Sequence, residues 1–150
     1  MTTLLNGKTR EDGQIAVLII GFVVLALLLA TVVMAVSAVY LEHKKLLSLA
    51  DGAALAAADS FMVGDIGAGS RPEPSLVDER VRSGAASYLS GTGASSHHDR
   101  LALAAGTGSE PGGTAVVVLT AVAHPPVISF LLPDGILVEA RSVARASLTQ

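Results

Sequence analysis

Apolar positions fall into three regimes along the chain. From Ile15 to Leu41 they are nearly continuous, with no charged residue in about 27 positions. A helix needs roughly 20 residues to cross a bilayer, and in hydrocarbon its backbone has to satisfy its own hydrogen bonds. The run is therefore predicted to be a membrane-spanning helix. From Leu46 to Phe61 the pattern becomes helix-periodic: Leu46, Ala50, Ala53, Ala57 and Phe61 share one face. Beside them Ala50, Ala54 and Ala58 form a ladder of small residues, a spacing that lets another backbone approach closely. Asp51 and Asp59 point in roughly one direction. Span and extension together predict one helix of about 47 residues and about 70 Å, with Gly21 and Gly52 as its expected soft points.

Breakers then divide the chain. Val63–Ser75 holds three glycines and two prolines and reads as a loop. Ser75 stands in an N-cap position with Asp78 three residues on, an imperfect capping box. The stripe Leu76, Val77, Val81, Ala85, Tyr88 and Leu89 predicts a short second helix ending near Gly91. The segment "GTGASSHHD" reads as loop. After Arg100 the period changes: "RLALAAGTG" reads as the start of a strand, "SEPGG" as a turn or loop, and Thr114–His124 as a β-rich run stopped by Pro125-Pro126. "VISFLLPDG" reads as an apolar connection, with room for a short helix, turning at Pro133-Asp134-Gly135. In "ILVEARSVARAS" Glu139, Arg141, Val143 and Arg145 face one way, and Val138, Ala140, Ser142, Ala144 and Ala146 the other. That is a half-buried antiparallel strand whose core face is small enough to pack on an alanine-rich helix. The expected fold class is α+β: one amino-terminal transmembrane helix and its extension, a small antiparallel sheet of about three strands, and one short extra helix. The expected divisions are 1–14, a polar lead too short to fold; 15–41, the span; 42–62, the helical extension; and 63–150, a small domain.

Composition agrees with this division. The chain is 51% apolar but only 3% aromatic, a poor recipe for a dense soluble core, because aromatics carry much of the buried area of most cores. A secretory h-region is about 7–15 residues long, so the length of the run favours an anchor over a cleaved signal, although Val36-Ser37-Ala38 has the form of a signal-peptidase site. Tyr40 suits the headgroup level, and Lys44 and Lys45 have the reach to snorkel to phosphates. Lys8 and Arg10 before the span nearly balance Lys44 and Lys45 after it, so counting positive charges leaves the orientation almost tied. The short amino-terminal side favours an inside amino terminus.

Candidate chemistry is sparse. The absence of cysteine removes disulfides, thiolate catalysis and iron–sulfur sites. A net charge of −3 without a basic, aromatic-interleaved patch points away from nucleic acid. His97-His98-Asp99 is the one tight group of metal-ligand types, but neighbours in sequence point apart and zinc needs three or four converging ligands. His43 belongs to the headgroup zone and His124 to a strand end. No nucleophile-elbow sequence occurs, and "GAGSRP" lacks the Lys-Ser/Thr of a phosphate loop. Asp78, Glu79, Arg80 and Arg82 read as a solvated helix face. The expectation is a protein without catalytic residues, cofactor, metal or small-molecule substrate. A small membrane hydrolase using His97, His98 and Asp99 stands as a contrasting hypothesis, to be tested by changing those residues.

The stretch from Arg10 to Ala58 resembles the amino-terminal module of TadG-like and TadE-like proteins of the tight-adherence (Tad/Flp) pilus system, small actinobacterial type. The matching pieces are the charged lead Arg10–Gln14, the Tyr40–Lys45 boundary and the alanine block Leu49–Ala58. The resemblance implies a pilus-assembly protein of the cell membrane, single-pass, with its amino terminus in the cytoplasm and a pilin-like helix supporting an extracytoplasmic domain. Its implied partners are the membrane and other pilus or pilus-assembly proteins. It also implies Gly13 and Gln14 as a candidate processing site, Tyr40, Lys44 and Lys45 at the membrane interface, and Ala50, Ala53, Ala54, Ala57 and Ala58 as a helix-packing ladder. Prepilins of this system are cut after a glycine and carry glutamate at the fifth mature position, which here is Leu18. A carboxylate inside a bilayer is usually functional, so its absence favours an uncleaved, pseudopilin-like accessory protein. A minor pilin processed after Gly13 and a generic single-pass anchored envelope binding domain are the alternatives.

Overall fold

The computed structural model describes residues 8–65, 74–111, 113–126, 129–130 and 132–145, with side chains from Gly13 to Ser60 and from Val77 onward within those ranges. Helix α1 is Lys8–Asp65, 58 residues without a break, about 87 Å long at 1.5 Å per residue. It starts inside the polar lead and runs past Met62, the expected end of the extension. Once a helix is nucleated each further residue adds a hydrogen bond at little cost, so a long apolar run carries its helix into polar flanks. Helix α2 is Pro74–Gly91. It opens on a proline, whose fixed φ and missing N–H suit the first helical position. The expected capping by Ser75 and the packing of Phe61 fall on side chains outside those described, as do residues 1–7 and 66–73.

A 3-10 turn at Ala94–Ser96 leads into the sheet: β1 Asp99–Leu103, β2 Gly108–Glu110, β3 Thr114–Ala123 and β4 Ile136–Arg145. All pairings are antiparallel, and β3 pairs with each of the other three. β4 matches β3 along its whole length, from Thr114 opposite Arg145 to Ala123 opposite Ile136. β1 and β2 therefore share the other edge of β3, end to end. This corrects the sequence reading, which had a strand starting in Arg100–Gly108 and took Ser109–Gly113 as a turn or loop. The break is built around Val118. Its carbonyl accepts from the Ala104 N–H at 2.8 Å. Its N–H donates to Thr107 Oγ1 at 3.1 Å, and the buried Thr107 hydroxyl donates back to the Val118 carbonyl at 3.1 Å. One side chain thus replaces a strand rung, and Ser109 and Glu110 rejoin the ladder. A bulge between Asp99 and Ala102, with Arg100 at φ 51, re-aims the start of β1.

Helix α1 from Leu46 onward lies between α2 and one face of the sheet. The core joins Leu46, Ala50, Ala53, Ala54, Ala57 and Ala58 of α1 to Val81 and Ala85 of α2. From the sheet it takes Val117, Leu119 and Ala121 of β3 and Val138 and Ala140 of β4. The alternation along β4 is as expected: Val138, Ala140 and Ser142 are buried, while Glu139, Arg141 and Val143 are exposed. Alanine on both sides lets helix and sheet approach closely, so few large side chains are needed to exclude water. Two glycines set the α1–α2 approach. A Cβ on Gly84 would lie 3.1 Å from the Ala57 Cα and 2.7 Å from Ser60 Oγ. One on Gly52 would overlap the Tyr88 hydroxyl. Gly52 is thus a clearance point for an aromatic ring on α2. On the outer sheet face an Arg141–Glu110 ion pair of 2.7 Å straddles β3 from β4 to β2.

Of the β3–β4 connection, residues 127, 128 and 131 lie outside the described set, so the expected short helix there falls partly outside it. The turn at Pro133-Asp134-Gly135 is closed by the Gly135 N–H donating to the Leu132 carbonyl at 3.1 Å.

Candidate functional site: the membrane helix and its junction with the domain

From Gly13 through Met34 the side chains of α1 are exposed, apart from a half-buried Thr31; Ala35 is the first buried one. The uncovered apolar stretch Ile15–Met34 is about 30 Å long, the thickness of a bilayer's hydrocarbon core. Among the described residues this is the one helix long and apolar enough to cross a membrane. Its polar side chain at Thr31 is satisfied within the helix, donating to the Leu27 carbonyl at 2.8 Å. Gly13 and Gln14 are exposed and lie inside α1, not in an extended segment. Nothing stands within 4 Å of where a Gly13 Cβ would be.

The junction begins where the domain closes over one side of the helix. Tyr40, Lys44 and Lys45 line this level of α1, and the Tyr40 ring is 57% exposed. The Lys44 ammonium sits 5.6 Å from the centre of the Tyr40 ring, one helical turn back. Lys45 lies 3.8 Å from Glu42, a solvent-facing pair of small energetic weight. Glu42 turns its other carboxylate oxygen to His98, with Nδ1 at 2.7 Å from Oε1. The His98 side chain is only 8% exposed, so this contact ties the segment after α2 directly to the helix. His97 instead points back to Ser96 Oγ at 3.0 Å, and Asp99 to His124 Nδ1 at 3.5 Å. The three consecutive residues thus diverge, and among the described residues no group of three or more His, Asp or Glu is placed to hold a metal ion. Sequence reading missed the Glu42–His98 pair. The only signal was an acid among the cations of "EHKK", 56 residues from its partner.

All five alanines of the ladder are buried in the core of the chain's own domain. Ser142, the one polar residue on the core face of β4, donates to Asp51 Oδ1 at 2.5 Å. Farther out, Asp78 of α2 accepts from the Ser109 N–H at 2.7 Å and the Ser109 hydroxyl at 2.9 Å. These two hydrogen bonds hold its carboxyl below the ordinary value against an opposing effect of desolvation, with Arg82 adding a lesser lowering. Arg82 in turn donates to the carbonyls of Thr107 and Ala105 at 3.0 and 3.1 Å. The charges read from sequence as a solvated face thus include the clamp between α2 and the β1–β2 break.

Two grooves flank the emerging helix. One, of about 370 Å³, is lined by Ala38, Glu42, Asp99, His124 and Pro125 among others. The other, of about 440 Å³, is apolar and lies between Ala35, Val36, Val39 and Tyr40 of α1 and Ile136 at the start of β4.

No curated protein and no solved structure matches the chain. A family model does, over residues 13–60: that described as putative Flp pilus-assembly TadE/G-like. The match starts at Gly13, at the edge of the apolar run, and ends at Ser60, beyond the alanine block, so it covers both the uncovered and the domain-covered parts of α1. Over residues 13–60 this chain is similar to the TadE/G-like Flp pilus-assembly family.

Proposed function

We propose that the protein is a membrane-anchored, non-enzymatic accessory component of Tad/Flp pilus assembly, pseudopilin-like. Its amino terminus is cytoplasmic, its single span lies in the cell membrane, and its α+β domain is extracytoplasmic. The observation that carries the reading is the family match over residues 13–60 falling on one unbroken helix, half exposed and apolar, half forming the core of a domain. That is the build of a part held at the membrane by one half and shaped by the other. Its partners in this reading are other pilus or envelope proteins meeting it through exposed faces of the helix and sheet.

The second reading is a minor pilin processed after Gly13. The exposed Gly13–Gln14 bond is what favours it. The missing acid at Leu18 weighs against it. Intact mass of the native protein, taken separately from membranes and from sheared surface filaments, tests the two. An uncleaved species confined to membranes is the expected result. A species beginning at Gln14 in filaments would establish the minor pilin. A species cut near Ala38 and released in soluble form would defeat both.

A further inference from the structure

The covered part of α1 gives the domain a near end and a far end relative to the membrane. Ile136, the first residue of β4, lies beside Val39 and Tyr40, whereas Ser142 of the same strand lies on Asp51. β4 therefore climbs away from the span alongside α1. At the neighbouring strand end, His124 and Pro125 stand beside Ala38 and Glu42. Both ends of the β3–β4 connection are thus held at the level where the helix becomes covered, one step beyond the roughly 30 Å of uncovered apolar helix that fills the hydrocarbon core.

That connection is apolar where a soluble loop would be polar. From Pro125 to Val138 the sequence carries a single charge, Asp134. Phe130 is 93% exposed, Leu137 70% and Leu132 46%. Among the described residues the other large exposed apolar side chains outside the span region, Leu55 and Val143, lie singly on the distal part of the domain, where isolated exposure is ordinary. Three large apolar side chains gathered at one tip are not, and aromatic and leucine side chains are those that bury at the headgroup–acyl boundary.

We propose that the β3–β4 tip is a second membrane contact: Phe130, Leu132 and Leu137 enter the lipid interface beside the span. The occupant is the bilayer surface, because both ends of the connection that carries the patch are held at the exit point of the helix. The inference rests on the membrane-anchor reading of α1. Its effect is orientational. A single helix leaves a domain free to swing, whereas a second point of insertion sets which face of the sheet and of α1 is turned toward neighbours.

The chain contains no tryptophan, so one introduced indole reports alone. The full chain carrying Phe130→Trp is reconstituted in phosphatidylcholine vesicles, with and without lipids brominated near the carbonyl end of the acyl chain, and the span reference is read with lipids brominated near the methyl end. Leu25→Trp in the span and Leu55→Trp on the distal domain serve as references. Expected are blue-shifted emission and loss of intensity to brominated lipid for Phe130→Trp and Leu25→Trp, and neither for Leu55→Trp. Quenching at Leu25 without quenching at Phe130 overturns the proposal and leaves the anchor intact. No quenching at Leu25 overturns the anchor reading itself, and the proposal with it. A blue shift at Phe130 that bromine leaves unquenched and that fades as protein is diluted in lipid identifies a second copy as the occupant and also overturns it.

Discussion

Gly84→Ala tests the α1–α2 approach on which the small-residue core depends. In a helix interior this change alone favours folding by about 1 kcal/mol, since alanine has less backbone entropy to lose. Against α1 the added Cβ would sit 3.1 Å from the Ala57 Cα, well inside the roughly 3.5–4.0 Å optimum for carbon pairs. Ser60 Oγ, at 2.7 Å from the same point, has room to rotate away because Ser60 is exposed; the Ala57 backbone does not. The helices then have to separate, and overpacking of this kind costs about 1–3 kcal/mol. The two contributions leave a net destabilisation of about 1 kcal/mol. Urea unfolding of the full chain in mild micelles, read by pulse proteolysis, would show a midpoint lowered by about 0.5–1 M. Ala86→Gly, on the exposed face of the same helix, calibrates intrinsic propensity and should cost about 1 kcal/mol. A Gly84→Ala protein more stable than the parent by that amount would refute the close approach.

The remaining expectations concern the clamp, the junction and the exposed helix face. Because Ser109 holds the Asp78 carboxyl below its ordinary value, the clamp contributes fully above the unfolded carboxylate pKa of about 3.9. That contribution is lost as pH falls through the lowered folded value. Thermal midpoints of the parent and Asp78→Asn should therefore converge in strong acid; a constant gap down the pH scale would refute the clamp. His98→Ala leaves part-buried Glu42 with only the looser Lys45 contact and should cost about 1–2 kcal/mol, and a cycle with Glu42→Gln should show a coupling of about 1 kcal/mol. Strictly additive effects there would show that the two side chains do not act as a pair. Leu55 is 59% exposed on the helical extension, and surface changes away from packed features shift stability by about 0.5 kcal/mol or less. Leu55→Glu should accordingly leave membrane levels of the protein unchanged and abolish surface pili. Normal piliation would remove this face from the assembly interface.

How far the sequence was legible follows from how local each signal is. The span rests on an unbroken apolar run and α2 and β4 on periodicity within one element, and Leu46, Ala50, Ala53 and Ala57 and Val138, Ala140 and Ser142 lie on the faces their spacing implied. What the pattern could not carry is anything that depends on a partner far along the chain. The split of β1 from β2 turns on Thr107 meeting Val118, and no composition rule marks a threonine that will stand in for a strand rung. Ser109–Gly113 has the residues of a turn, yet pairing with Ala115 and Thr114 draws Ser109 and Glu110 into the sheet: tertiary context overrides β propensity. Glu42–His98 and Asp51–Ser142 were hidden for the same reason. The Asp51 pair did leave a trace, since a lone serine among small core residues on β4 requires a polar partner across the interface.

The burial of the ladder changes where an assembly surface is to be sought. Small-residue repeats beside a span ordinarily mark helix–helix contact between subunits. Here all five alanines are enclosed by the chain's own sheet and α2, so a charge at Ala54 would unfold the domain and report nothing about neighbours. The surface left on α1 consists of the apolar span below Ala35 and a narrow strip above it that includes Leu55, Asp51 and Asp59. The span also lacks the buried acid that would give a filament packing a unique register, since no charged residue occurs from Ile15 to Leu41. Apolar helices in lipid lack a hydrophobic drive to associate and gain it from close packing or polar pairing. This span carries large exposed side chains such as Phe22, Leu25 and Leu29, and its small residues Ala26 and Ala30, one turn apart and exposed, offer a place for close packing. In the accessory reading, recognition is expected outside the hydrocarbon, on the strip at Leu55 and on the sheet face that carries Arg141 and Glu110. The accessory reading requires that the domain surface carry recognition, whereas the minor-pilin reading requires the span itself to pack into a filament.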